Sequence, residues 1–201
     1  MARLRAKQPD DLVRVYSFQS IAARDAAEAK GFWAGDAAFI DPDFRTPYAW
    51  MIEQMQIRIP GFSGDYPIWA YLRRPNMRQR RYDEDAVLVV ADVPRKRMLL
   101  SDYDGWHNPL YFWYWASTQE EMDRLEAAGL QTFGCERDIT PEMKKSWEAI
   151  FDLSERTDPD VIAYNGRLDT VQATIDRIYT HEIVRITRAL GRIGRNGGTV
   201  Y

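Results

Sequence analysis

Ala86-Val87-Leu88-Val89-Val90-Ala91-Asp92-Val93-Pro94-Arg95-Lys96-Arg97-Met98-Leu99-Leu100-Ser101 is the stretch that decides the fold. Residues 86–93 form an aliphatic, β-branched run of strand length, and 97–101 read as another strand. Few helical crossovers separate the strands. Further strands are expected at 12–18 and 67–72, so strands gather in the first half of the chain. Helical patterns dominate the second half, and the class expected is α+β rather than a doubly wound parallel sheet. It carries a small antiparallel or mixed sheet packed by helices, followed by a helical C-terminal half.

The same stretch runs on into Ser101-Asp102-Tyr103-Asp104-Gly105-Trp106-His107-Asn108, where two carboxylates, an indole, an imidazole and a carboxamide crowd a turn. Gly105 permits a sharp reversal there. Carboxylates at alternate positions of an extended chain project to one side. Asp102 and Asp104 are therefore candidates to share a proton or a metal, with His107 as acid–base partner, and the three are the catalytic candidates. The competing reading is a turn, with Ser101 and Asp102 capping backbone amides, Trp106 packed inward and His107 hydrogen-bonded.

Upstream, Ser20 is positioned to cap a helix that Gly31 ends. A connection follows over 32–44, and Thr46-Pro47 opens a second helix that Pro60-Gly61 stops. Tyr48, Met51, Ile52, Met55 and Ile59 share one face of it. Trp50, Gln54 and Arg58 recur every fourth residue on another, suited to holding a ring and an anion or to packing on the sheet. Downstream, Ser117 with Glu120 forms a capping-box pair for a helix ending at Gly129, and Thr140-Pro141 opens another to about Phe151. A last helix, capped by Asp169, is expected from Val171, Ile175, Ile178, Ile186 and Leu190, with His181 on its surface. A glycine-rich flexible tail over 194–201 ends the chain. One domain over 1–201 follows, strand-rich over 10–116 and helical over 117–193.

Of the 201 residues, 45% are hydrophobic and 28% charged, the balance of a globular protein. The net charge of -3 gives no global attraction to nucleic acid, so such binding needs a local patch. Arg73, Arg74, Arg78, Arg80 and Arg81 supply one, suited to phosphate, although Asp83, Glu84 and Asp85 answer it at once. Cys135 is the sole cysteine, which excludes an intrachain disulfide and fits a reducing cytoplasm. No apolar run reads as a secretory signal or a membrane span, and no phosphate loop of Walker or Rossmann spacing occurs.

The ordered set Pro47-Tyr48-Ala49-Trp50-Met51 with Gln54 and Arg58, Tyr66-Pro67-Ile68-Trp69-Ala70, and Leu99-Leu100-Ser101-Asp102-Tyr103-Asp104 with Trp106-His107 resembles the bacterial domain of unknown function 3841 family. Ser146-Trp147-Glu148, Ile150-Phe151-Asp152-Leu153 and Gln172-Ala173-Thr174 resemble its later motifs. The chain departs from that family after the histidine, where Asn108-Pro109-Leu110-Tyr111 replaces an apolar residue and Leu-Asn.

The order of elements is also similar to the small ADP-ribosyltransferase-type toxins, which cleave NAD in a cleft between two small sheets. That similarity implies NAD as cofactor, Arg14 or Ser17 on its ribose, Tyr48 or Trp69 against its nicotinamide, and Asp102 or Asp104 in place of a late glutamate. Trp50 and Arg58 complete the expected pocket, with arginine on the pyrophosphate. The leading expectation is an NAD-using transferase in a toxin or phage-defence setting, with an antitoxin or other protein partner. The alternatives are a non-enzymatic module binding nucleic acid or protein through the arginine loop, and a metal-dependent phosphodiesterase on Asp102, Asp104 and His107.

Overall fold

A computed structural model describes residues 11–75, 86–116, 118–129, 139–153 and 171–189. The architecture is α+β. Strand β1 (Leu12–Ser20) runs into α1 (Ile21–Lys30), capped by the Ser20 hydroxyl on the Ala23 N–H and ended by Gly31 in the left-handed region. The short β2 (Phe32–Ala34) and two 3-10 turns lead to α2 (Arg45–Arg58). Strands β3 (Ile68–Tyr71), β4 (Ala86–Pro94) and β5 (Met98–Asp102) follow, then α3 (His107–Leu110), α4 (Gln119–Ala127) and α5 (Pro141–Trp147). The chain closes with β6 (Val171–Ile175), β7 (Arg177–Tyr179) and β8 (Ile183–Ala189).

Three local expectations shift. The second helix begins at Arg45 behind Phe44 with no side-chain cap, which leaves Pro47 inside the first turn rather than at its opening. Helix α4 is capped by Thr118, whose hydroxyl accepts from the Glu121 N–H at 3.1 Å. The largest change is at the end of the chain. The second half is helical through α4 and α5, but the segment expected as a last helix forms β6, β7 and β8. Its run of Val, Thr and Ile favours the pleated sheet, where branched side chains pack without crowding a preceding turn. Asp169, Leu190, Ser117, Cys135, Arg78, Arg80, Arg81 and the tail over 194–201 lie outside the described residues.

The main sheet has the order β5-β6-β3-β1-β4-β8 with every neighbouring pair antiparallel. Its two halves are unequally joined. β1 and β4 pair along their whole length, from Leu12 opposite Pro94 to Ser20 opposite Ala86. β1 and β3 meet in a single register pair, Tyr16 with Tyr71. Beyond it the two strands part. The Ser17 hydroxyl still reaches across, donating to the Trp69 carbonyl at 2.7 Å, and the Phe18 and Tyr71 rings meet edge-on at 6.4 Å.

Two cores flank this seam. One packs Val15, Ala27, Trp33, Val87, Val89, Ala173 and Ile175 between the sheet and α1. The other gathers Trp50, Met51, Met55, Leu99, Trp106, Trp147 and Ile150 from α2, β5, the turn that follows β5, and α5 with the 3-10 turn behind it. Helix α2 is buried on a wider arc than one stripe: Trp50 and Gln54 are buried together with Met51 and Met55, whereas Ile52 is half-buried.

Candidate functional site

A groove opens where β1 and β3 separate. Its deep lobe, 560 Å³ in volume, is walled by Phe18, Gln19 and Ser20 of β1 and by Ile68 and Trp69 of β3 with Pro67 just before them. The small side chains Ala22, Ala23 and Ala26 of α1 leave it room, and Gly35, Asp36, Phe39 and Ile40 line it further along. Gly35 is essential to its shape. Its N–H bonds the Tyr66 carbonyl at 3.1 Å, and a β-carbon there would stand 2.7 Å from that oxygen. A shallower lobe of 250 Å³ continues past Tyr71, Tyr103, Trp106 and Gln172. Phe18, Tyr48 and Trp69 belong to both.

The shared wall is an aromatic cluster with fixed geometry. The Trp69 indole N–H donates to the Tyr48 hydroxyl at 3.1 Å, and the rings meet edge-on at 6.0 Å. Trp106 lies 4.8 Å from Trp69. Burial raises the Tyr48 phenol above its ordinary pKa, opposed in part by the Trp69 hydrogen bond. Tyr48 therefore stays a neutral phenol. Charge on the deep lobe comes from Lys30 and Asp36. Asp36 caps its own 3-10 turn, accepting the Ala38 N–H at 2.9 Å.

The structure brings only some of the expected site residues here. Tyr48 and Trp69 line both lobes, while Ser17 is buried behind them, bonded to Trp69 and accepting from Gln19 at 2.8 Å. Arg14 is paired with Asp92 through two hydrogen bonds, 2.8 and 2.7 Å, away from the groove. Trp50, 2% exposed, is stacked with Trp106 and Phe151 in the second core. Arg58 bonds Gln54 and Glu148 and lies over the Phe151 ring at 4.7 Å. The stripe of Trp50, Gln54 and Arg58 thus packs the helix.

The polar turn after β5 contributes rings to the groove rather than carboxylates. Asp102, 1% exposed, accepts the Gly105 N–H with one carboxylate oxygen and so holds the turn. Asp104 is exposed, and the two carboxylates part because the chain leaves the strand at Asp102. The His107 ring bonds the Asp104 carbonyl at 3.0 Å. Gly105 also packs closely: a β-carbon there would lie 2.5 Å from the far edge of the Trp115 ring, which would have to move aside. Ser101, fully buried, accepts from Gln172 at 3.4 Å. Among the described residues no three His, Cys, Asp or Glu side chains group as a metal site. No helix among them is long and apolar enough to cross a membrane.

Sequence reasoning missed Phe18, Gln19, Asp36, Phe39, Tyr71 and Gln172. The one available signal was the alanine face of α1, where Ala22, Ala23 and Ala26 leave space that larger residues would fill.

Residues 14–184 match the domain of unknown function DUF3841, and the chain belongs to that family. No curated protein and no solved structure matches the chain.

Proposed function

We propose that the groove is a nucleotide site and that the chain is an NAD-using enzyme of the ADP-ribosyltransferase type. The observation that carries this reading is the parting of β1 from β3, which opens a cleft between two halves of a sheet and walls it with Tyr48 and Trp69. A volume of 560 Å³ lies within the range of about 300–1,000 Å³ common for small-molecule sites. Where a sheet opens, backbone donors and acceptors that a neighbouring strand would use face the opening. They suit the amide and hydroxyl groups of a dinucleotide.

In this reading the nicotinamide lies against Trp69 and Tyr48, and Lys30 faces the pyrophosphate. Of the carboxylates described, Asp36 is the one on the wall of the deep lobe. It takes the role that the chain's pattern offers to Asp102 or Asp104: a fixed negative charge beside the ribose carbon that becomes cationic as nicotinamide leaves. Such an enzyme works in the cytoplasm, where NAD is held. A toxin or phage-defence setting with a neutralising antitoxin follows from the harm of unregulated transfer.

Calorimetry with NAD and a nicotinamide-release assay test the two halves. Asp36→Asn keeps an oxygen for the Ala38 N–H and therefore the turn. It is expected to bind NAD and to release nicotinamide at least tenfold more slowly. The absence of heat at millimolar NAD with the parent protein refutes the site. Unchanged release by Asp36→Asn refutes the role given to Asp36.

A further inference from the structure

Beyond the two lobes the rings do not stop. Tyr71 and Tyr103, on the wall of the shallow lobe, have centroids 6.5 Å apart. Tyr103 meets His107 edge-on at 5.6 Å, and His107 stacks on Tyr111 at 6.1 Å with the planes 17° apart. Tyr111 in turn lies 5.1 Å from Trp113. These five rings form one track leading from the groove across the surface of α3. Tyr103 is 39% exposed and Tyr111 46%, so the track faces solvent along part of its length.

The backbone is arranged to build it. His107 and Tyr111, four residues apart, share a face of the short helix. Phe112 then adopts φ 57°, the left-handed region that a bulky side chain rarely occupies, and this reversal brings Trp113 beside Tyr111. Three hydrogen bonds hold the reversal: Phe112 N–H to Pro109 at 3.2 Å, Trp113 N–H to Asn108 at 2.8 Å, and the Asn108 side-chain amide to Gly105 at 3.1 Å. Nonpolar burial does not account for the arrangement, because the rings it gathers remain partly open to water.

We propose that this track binds a single-stranded nucleic acid, its bases stacked on Tyr103, His107, Tyr111 and Trp113 and one end reaching the shallow lobe. Every base has a π-face, so a row of partly exposed rings receives successive bases whatever the sequence. A duplex keeps its bases stacked on each other and offers the track nothing. Charge agrees at the Tyr71 end, where the chain continues into exposed Arg73 and Arg74. Asp104, an exposed carboxylate in the same turn, disfavours a phosphate beside it. This binding goes beyond the dinucleotide reading and stands without it.

The test is fluorescence anisotropy at low salt with labelled oligo(dT), oligo(rU) and a duplex of the same length. The parent protein is expected to bind either single strand, to prefer it at least tenfold over the duplex, and to weaken as salt rises. Tyr111→Ala is expected to lose roughly 5- to 150-fold, the range for removing one stacked ring, and Tyr111→Phe to retain binding. Melting curves of both variants accompany the titrations, and Tyr103→Ala gives the same loss from the other end of the track. No single-strand binding by the parent at low salt overturns the proposal. Equal binding of duplex, or a folded Tyr111→Ala that binds like the parent, overturns it as well. Single-strand binding without any heat from NAD refutes the reading of the deep lobe and leaves this one standing.

Discussion

Gly35→Ala changes one methyl group at the point where the deep lobe is closed. The backbone at Gly35 lies outside the left-handed region, so alanine meets no conformational penalty there and only the new contacts act. Those contacts are severe. The added β-carbon would lie 2.7 Å from the Tyr66 carbonyl oxygen and 2.9 Å from that of Pro67, both backbone atoms that cannot rotate aside. The strand before β3 must move, and the Gly35–Tyr66 hydrogen bond of 3.1 Å is broken or stretched. Overpacking costs about 1–3 kcal/mol and the lost bond about 0.5–1.5 kcal/mol. Alanine also restricts the unfolded chain, which offsets about 0.4–1 kcal/mol. The net destabilisation is about 0.5–4 kcal/mol, and at about 2–4 °C per kcal/mol the melting temperature falls by roughly 1–16 °C. Thermal unfolding followed by circular dichroism measures it, and NAD calorimetry on the variant reports whether the lobe has widened. A variant that melts at or above the parent temperature would show that Gly35 and Tyr66 do not approach as described.

Met55 is 0% exposed in the second core, and Met55→Asp places a carboxylate there without a partner. The cost is several kcal/mol, a large fraction of the stability of a domain, so loss of soluble folded protein is expected and a normally melting variant would place α2 the wrong way round. Stability should also carry a small acid-labile contribution from the Arg14–Asp92 pair. The Arg14 guanidinium holds the Asp92 carboxyl below its ordinary value, through its hydrogen bond first and its charge second. A depressed folded pKa contributes stability above the unfolded pKa and loses it as pH falls through the folded value. Asp92→Asn should therefore flatten the acid limb of a plot of melting temperature against pH, slightly because the pair is solvent-screened, and an acid limb identical to the parent's would refute the linkage.

The parts of the fold that were legible in the sequence are those set by chemistry within a few residues. Ser20 and Gly31 bracket α1 because a hydroxyl satisfies an orphan N–H and a glycine accepts the left-handed turn, whatever the rest of the chain does. Thr140 opens α5 in the same way, accepting the Met143 N–H at 3.1 Å. The terminal strands were illegible for a related reason. In β6 the side chains of Gln172, Ala173, Thr174 and Ile175 are all buried, since the strand lies between β5 and β3 with both faces covered. No alternation remains to mark the strand, and Val171, Ile175 and Ile178 fall by coincidence at helical spacing. Only the density of branched residues distinguished the two states.

The site divides along the same line. Tyr48 and Trp69 could be named because the motif around each is distinctive, yet what makes them a site is the loss of pairing between β1 and β3, a property of two segments some fifty residues apart. Asp102 and Asp104 are titratable groups in a turn, and the turn uses one of them to hold itself: Asp102 secures Gly105, and Gly105 leaves space for Trp115. The turn therefore fixes Tyr103 and Trp106 as walls, and its polar residues serve that placement. Asp36, by contrast, looks like an ordinary cap in sequence and in its own hydrogen bond. It becomes a candidate only because Gly35 allows the chain beside it to approach Tyr66 and Pro67, which carries a carboxylate to the mouth of the space between the strands. A residue's chemistry can be read locally, but the cavity it faces is set by distant backbone contacts, and here one glycine without a β-carbon determines that cavity.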